Sequence, residues 1–137
     1  IYVFTKRSNL FPFLQTFDAS RAIGSCARRD VTTVPTQGLT LLNDAFMREQ
    51  ARLFAERVLW EAGADTLSRV TRVDELALGR KPNQNELREA AAFLKDQAKQ
   101  YQDDLGSDST SLSRSAVSAI ADFCQVLLAS NEFSYIN

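Results

Sequence analysis

The sequence predicts a mainly α domain: an orthogonal or bundle-like array of four to five helices, with a short extended segment at each terminus. Three observations carry that expectation. Apolar residues recur every three to four positions through most of residues 36–131, the spacing of one helix face. The breaks between these runs carry helix punctuation: Pro35, Gly63, Gly79 with Pro82, and Asn83 followed by Glu86. Stretches with strand character occur only at the ends, Ile1–Thr5 and Glu132–Asn137, where the two can pair with each other.

Residues 1–35 read as an extended, irregular strap. Ile1-Tyr2-Val3-Phe4 is β-prone, and an unpaired edge there would favour self-association of the chain. From Lys6 to Ala19 the aromatics Phe11, Phe13 and Phe17 gather around Pro12 without a period, as in a segment pressed across helices by its rings. Arg21 to Pro35 then concentrates Arg21, Arg28, Arg29, Thr32 and Thr33 around Gly24 and Cys26. Adjacent arginines can fork onto a phosphate, sulfate or carboxylate in planar bidentate geometry. The competing and favoured reading is that they clamp internal carboxylates or the free carbonyls at helix C-termini.

Residues 36–131 form the expected helical core. Pro35 suits a helix start, because its missing N–H has no intrahelical partner to lose. About two turns should follow, then a kink at Asn43-Asp44, then a long helix from Ala45 to roughly Glu61 with Asp44 as its N-cap and Gly63 as its stop. Leu39, Leu42, Phe46, Leu53 or Phe54, and Val58 mark the buried side, with Trp60 as a packing anchor. Arg48, Glu49, Arg52, Glu56 and Arg57 mark a solvated face. The third helix should span Asp65 or Thr66 to Leu78, burying Leu67, Val70, Val73 or Asp74, and Leu76–Ala77. Asn83 and Glu86 make a capping-box start for the fourth, whose stripe is Leu87, Ala90–Ala91, Leu94, Ala98 and Tyr101. Asp103–Ser111 reads as an exposed loop. The last helix starts near Leu112–Arg114, capped by Ser111 or Ser113, and buries Val117, Ile120–Ala121, Cys124 and Leu127–Leu128. Residues 132–137 read as an extended tail.

Composition removes several functions. The chain has no His, so Ser-His-Asp and Cys-His catalysis, His-ligated metals and c-type haem attachment all lack a necessary residue. Cys26 and Cys124 have no CxxC spacing, which argues against zinc. They are either two buried thiols or, in an exported protein, a disulfide. Five basic and two acidic side chains in residues 1–35, against eleven and fifteen in residues 36–137, are too mild an asymmetry for a nucleic-acid face. No apolar run approaches the roughly 18 residues of a membrane span.

The series Ser25-Cys26-x-Arg28-Arg29, Thr32-Thr33-x-Pro35-x-Gln37 and Leu39-Thr40-Leu41-Leu42-Asn43-Asp44 resembles the planctomycete-specific domain family called domain of unknown function 1553. Phe17-Asp18, Leu78-Gly79-Arg80-x-Pro82 with Glu86, and Leu127-Leu128-x-Ser130-Asn131-Glu132-Phe133 continue the resemblance, which covers nearly the whole chain and is to the C-terminal half of such a domain. Val34, Gly38 and Ala45 depart from the family's usual Thr, Ala and Pro. The resemblance implies a fragment of a large exported or periplasmic protein, with other domains of the same polypeptide as partners and any haem on one of those domains. It supplies no catalytic residue and no cofactor for this chain. Three functions follow, in order of preference. The first is a non-catalytic structural or interaction module. The second is a module binding an anion or acidic or sulfated polysaccharide through Arg21, Arg28 and Arg29, with Thr32 and Thr33 beside them. The third is one wall of an enzyme site drawing on Asp18, Asp30, Asp44 or Glu132.

Overall fold

Asp44 divides the first two long helical runs as its side chain suggests: Oδ1 accepts from the N–H of Phe46 (2.9 Å) and of Met47 (3.3 Å), ending one helix and capping the next. The computed structural model describes residues 10–19, 35–105 and 109–134. Within them lie seven helices and no strand: α1 (Pro12–Thr16), α2 (Pro35–Asn43), α3 (Ala45–Ala62), α4 (Thr66–Leu78), α5 (Gln84–Leu105), α6 (Ser109–Leu128) and α7 (Asn131–Ser134). The mainly α, bundle-like expectation holds. The chain separates into two units, Ile1–Leu41 and Leu42–Asn137.

In the first unit the strap contains a helix the sequence did not announce. Pro12 starts α1, the Phe13 and Phe17 rings sit 5.0 Å apart, and Asp18 turns the chain at φ 55°. Buried Gln37 donates from Nε2 to the carbonyl of Thr16 at 3.1 Å. Ile1–Thr5, the expected first strand, lies outside the described residues, and so does its pairing with the tail.

In the second unit α6 is the hub, packed along α5 and α3 and touching α4 and α7. Small side chains let these helices approach closely. Ala51, Ala55 and Val58 come from α3, Val70 and Val73 from α4, Ala90 and Leu94 from α5, and Ala119, Ile120 and Cys124 from α6. Cys124 is a free buried thiol whose burial pushes its pKa up to about 12, so it packs as a small hydrophobe. Across helices, Tyr101 donates to Asp122 Oδ2 (2.8 Å), Gln125 to the Leu42 carbonyl (2.6 Å), and Arg72 to Glu61 Oε2 (2.7 Å).

Three expectations are corrected. The tail is helical where described: Ser130 Oγ accepts from the N–H of Phe133 at 3.3 Å and starts α7. Alternation over so few residues defines no strand without a partner edge, and the described residues contain none. The Asp103–Ser111 loop is shorter than its composition implies, because α5 runs to Leu105 and α6 begins at Ser109, placing Ser111 and Ser113 inside the helix. Asp and Ser sit in the end turns of helices as readily as in loops, so composition alone does not place this boundary.

The third correction concerns α3. Trp60 is 83 % exposed, Phe46 63 % and Leu53 44 %, and Leu39, Leu42 and Leu67 also face solvent. The face turned inward is Ala51, Ala55 and Val58, with Phe54 at its edge. Phe46, Leu53 and Trp60 recur at seven-residue steps, so they drift only about 20° per step and form one stripe, roughly half a turn from Ala55. The helix is apolar on two opposite sides. Hydropathy ranks the larger residues first, whereas close packing of α3 selects the smaller ones.

Candidate functional site

The best-formed polar cluster of the second unit grows from the α4–α5 connection. Gly79 ends α4 in the left-handed region (φ 70°, ψ 11°), which is nearly free for glycine and strained for other residues. That turn delivers Arg80. Three residues on, Asn83 Oδ1 accepts from the N–H of Asn85 (2.9 Å) and Glu86 (3.0 Å), while Glu86 Oε2 accepts from the Asn83 N–H (2.7 Å). The capping box thereby fixes Glu86 toward Arg80. Replacing Asn83 by Ala leaves two N–H groups without their cap, and the expected loss is about 1 kcal/mol in a urea melt.

Arg80 grips two carboxylates. Its Nε and Nη2 donate to Glu132 of α7 at 2.6 and 2.9 Å, and its Nη1 and Nη2 donate to Glu86 at 2.9 and 2.9 Å. The remaining Nη1 direction reaches the Lys81 carbonyl at 3.4 Å. A guanidinium has five N–H donors, and all five are committed here. The hydrogen bonds to Arg80, then the Asn83 N–H, hold Glu86 down to about 2, and Arg80 likewise lowers Glu132. The cluster is a clasp that ties α7 to the α4–α5 turn.

Beside the clasp opens a groove of about 290 Å³, lined by α4, α5, α6 and the start of α7. Its apolar walls include Phe93, Phe123, Val126 and Leu127; the two rings lie 6.2 Å apart. Asp74 of α4 lines the same groove and is 4 % exposed. No described residue donates a hydrogen bond to its carboxylate. Burial pushes Asp74 up to about 6, the negative charges of Glu86 and Glu132 add to the shift, and Arg80 opposes it. A second groove of about 480 Å³, between α4, α5 and α6, has Arg69 and Lys95 on its lining and no carboxylate. Among the described residues no group of His, Cys, Asp and Glu is arranged to hold a metal ion.

Arg21, Arg28, Arg29, Thr32 and Thr33, the anion site expected from sequence, all lie outside the described residues, as do Asp30 and Cys26. Of the other expected carboxylates, Asp18 turns the chain after α1, Asp44 caps α3, and Glu132 is held by Arg80. Asp74 was legible only as a carboxylate on the buried stripe of α4, a pattern that signals a special environment. Arg80 and Glu132 stand far apart in sequence, and no local spacing connects them.

Comparison with known proteins places a boundary on this site. A family model described as PSD1, protein of unknown function (DUF1553), matches residues 1–94. That span includes Asp74, Arg80, Glu86 and Phe93, while Phe123, Leu127 and Glu132 lie beyond it. No curated protein and no solved structure matches the chain.

Proposed function

We propose that this chain, which belongs to the DUF1553 family of proteins of unknown function, is a non-catalytic helical interaction module that docks another domain of its own polypeptide through α3. The observation carrying this reading is the second apolar face of that helix. Phe46, Leu53 and Trp60 stand in solvent opposite the buried Ala51, Ala55 and Val58. A helix that carries large apolar side chains opposite its core-facing side can lie between two surfaces, and exposed aromatic and aliphatic anchors set among charged residues mark interaction sites. The flanks are charged but internally paired: Arg52 with Glu49 and Glu56, Arg57 with Glu61. A polar rim around an aromatic anchor is the anatomy of a protein interface. The planctomycete origin of the family, the export of the parent polypeptide and the choice of a neighbouring domain as partner rest on the resemblance. They form part of the same proposal.

Trp60 is the only Trp in the chain, so it reports directly on this face. Mixing the purified chain with the adjoining domains of the parent polypeptide should shift Trp60 emission to the blue and yield a complex by sedimentation. Phe46→Glu/Leu53→Glu should abolish both while leaving the melt of the isolated chain nearly unchanged. Complex formation unaffected by the double substitution would reject α3 as the docking face. A blue shift that grows with concentration of the chain alone would instead assign the face to self-association.

A further inference from the structure

We propose that the groove walled by Phe93, Phe123 and Leu127 over Asp74 is a binding site for an alkylammonium group, with the ammonium on the Asp74 carboxylate and the alkyl stem along the apolar walls. This site is separate from the α3 face and does not depend on the docking proposal.

The charge inventory points to a cation. Four carboxylates line the groove, Asp74, Glu86, Glu89 and Glu132, against the single guanidinium of Arg80. Arg80 cannot turn to Asp74 without breaking one of its two bidentate pairs. Asp74 therefore holds an ionisable carboxyl at 4 % exposure with no hydrogen-bond donor from the described protein, on a surface that opens to the groove. The Asp74 oxygens are not sealed in the core but reach the groove, where a mostly apolar lining solvates a carboxylate poorly and a bound N–H donor carrying positive charge would relieve that. A bare metal ion fits less well, since among the described residues no companion ligands are arranged around Asp74 and such ions take several oxygen donors. The walls select the rest of the ligand. They are aromatic and aliphatic, so the cation must carry an apolar stem, and ring faces also attract ammonium groups. At about 290 Å³ the groove lies at the lower end of ligand pockets, which run from roughly 300 to 1,000 Å³, and suits a short chain.

The groups facing Asp74 determine the pH response. Arg80 comes from the α4–α5 turn, Glu86 and Glu89 from α5, and Glu132 from α7, while α6 contributes only uncharged residues to the lining. Binding needs Asp74 ionised, so it strengthens as pH rises through about 6.

The test is a titration of the full chain, followed by NMR, with n-butylammonium chloride, n-butanol and Nα-acetyl-lysine methylamide. Butylammonium should bind saturably at pH 7.5, about tenfold more weakly at pH 5, where roughly one Asp74 in ten is ionised. Butanol should bind at least about tenfold more weakly than butylammonium at pH 7.5. Asp74→Asn should lose this preference. In the unmutated chain, saturating butylammonium should lower the Asp74 titration midpoint read from its carboxyl carbon, a measurement independent of any variant. Equal binding of butanol and butylammonium, an unmoved midpoint, or full affinity in Asp74→Asn would each overturn the proposal. Binding of the lysine derivative as tight as butylammonium would identify a lysine side chain as the source of the ammonium. Its exclusion while butylammonium binds would identify a free amine.

Discussion

Replacing Ala55 by Leu should lower the unfolding free energy by about 1 to 3 kcal/mol, while replacing Trp60 by Ala should change it by less than about 0.5 kcal/mol. The ranking inverts what residue size suggests. Ala55 is 0 % exposed on the packed side of α3, in a core made mostly of Ala and Val, and there is no room for three further carbons. Overpacking forces side chains off their rotamers or moves helices apart, and α3 rests against α6 along much of its length. Trp60 touches little and is 83 % exposed. Urea denaturation of the two variants, with the slope checked for two-state behaviour, decides the matter. A larger loss for Trp60→Ala would mean that α3 is rotated by about half a turn and that its aromatic stripe is core.

Asp74→Asn should stabilise the protein at pH 7.5 by about 1 to 2 kcal/mol, after allowance for water in the groove, and the gain should vanish toward pH 4. The sign follows from linkage. The folded-state pKa of Asp74 is raised to about 6, above the ordinary carboxyl value, so between roughly pH 4 and 6 the folded state binds more protons than the unfolded. Its favourable contribution is therefore present at low pH and is lost as pH rises through 6. Glu86, at about 2, works in the opposite sense, as do the lowered Glu132, Glu49, Glu61 and Asp65. Their contributions are present above the ordinary carboxyl range and are lost as pH falls through it. The unmutated chain should thus be most stable near about pH 5, and Asp74→Asn should flatten the alkaline side of that profile alone. Thermal melts from pH 3 to 8 would show it. A uniform offset between the two chains would mean that Asp74 is not titrating in the groove.

The helix boundaries were largely legible from sequence. Asp44 before α3, Asp65 before α4, Gly79 after it, and Asn83 with Glu86 opening α5 all stand where their residue types indicate. Each satisfies backbone groups within four residues, so its energetics are local and a short window contains the whole interaction. Where the local signal was weak, at Pro12–Thr16, Asp103–Leu105, Ser109–Ser111 and Asn131–Ser134, the sequence missed helix that the fold contains.

Burial and the site belong to a different scale. Whether Ala55 or Trp60 faces the core depends on how closely α6 approaches α3, and two apolar stripes on one helix cannot be ranked until that neighbour is in place. Arg80 meets Glu132 only because α7 folds back on α4 from 52 positions away. Asp74 acquires its high pKa only when α5, α6 and α7 close around it. The residues by themselves determined a mainly α chain, its caps and its family. The tertiary structure alone decided which apolar face stays open, which arginine is saturated and which carboxylate is buried, because those outcomes depend on groups that come together only after the helices have packed.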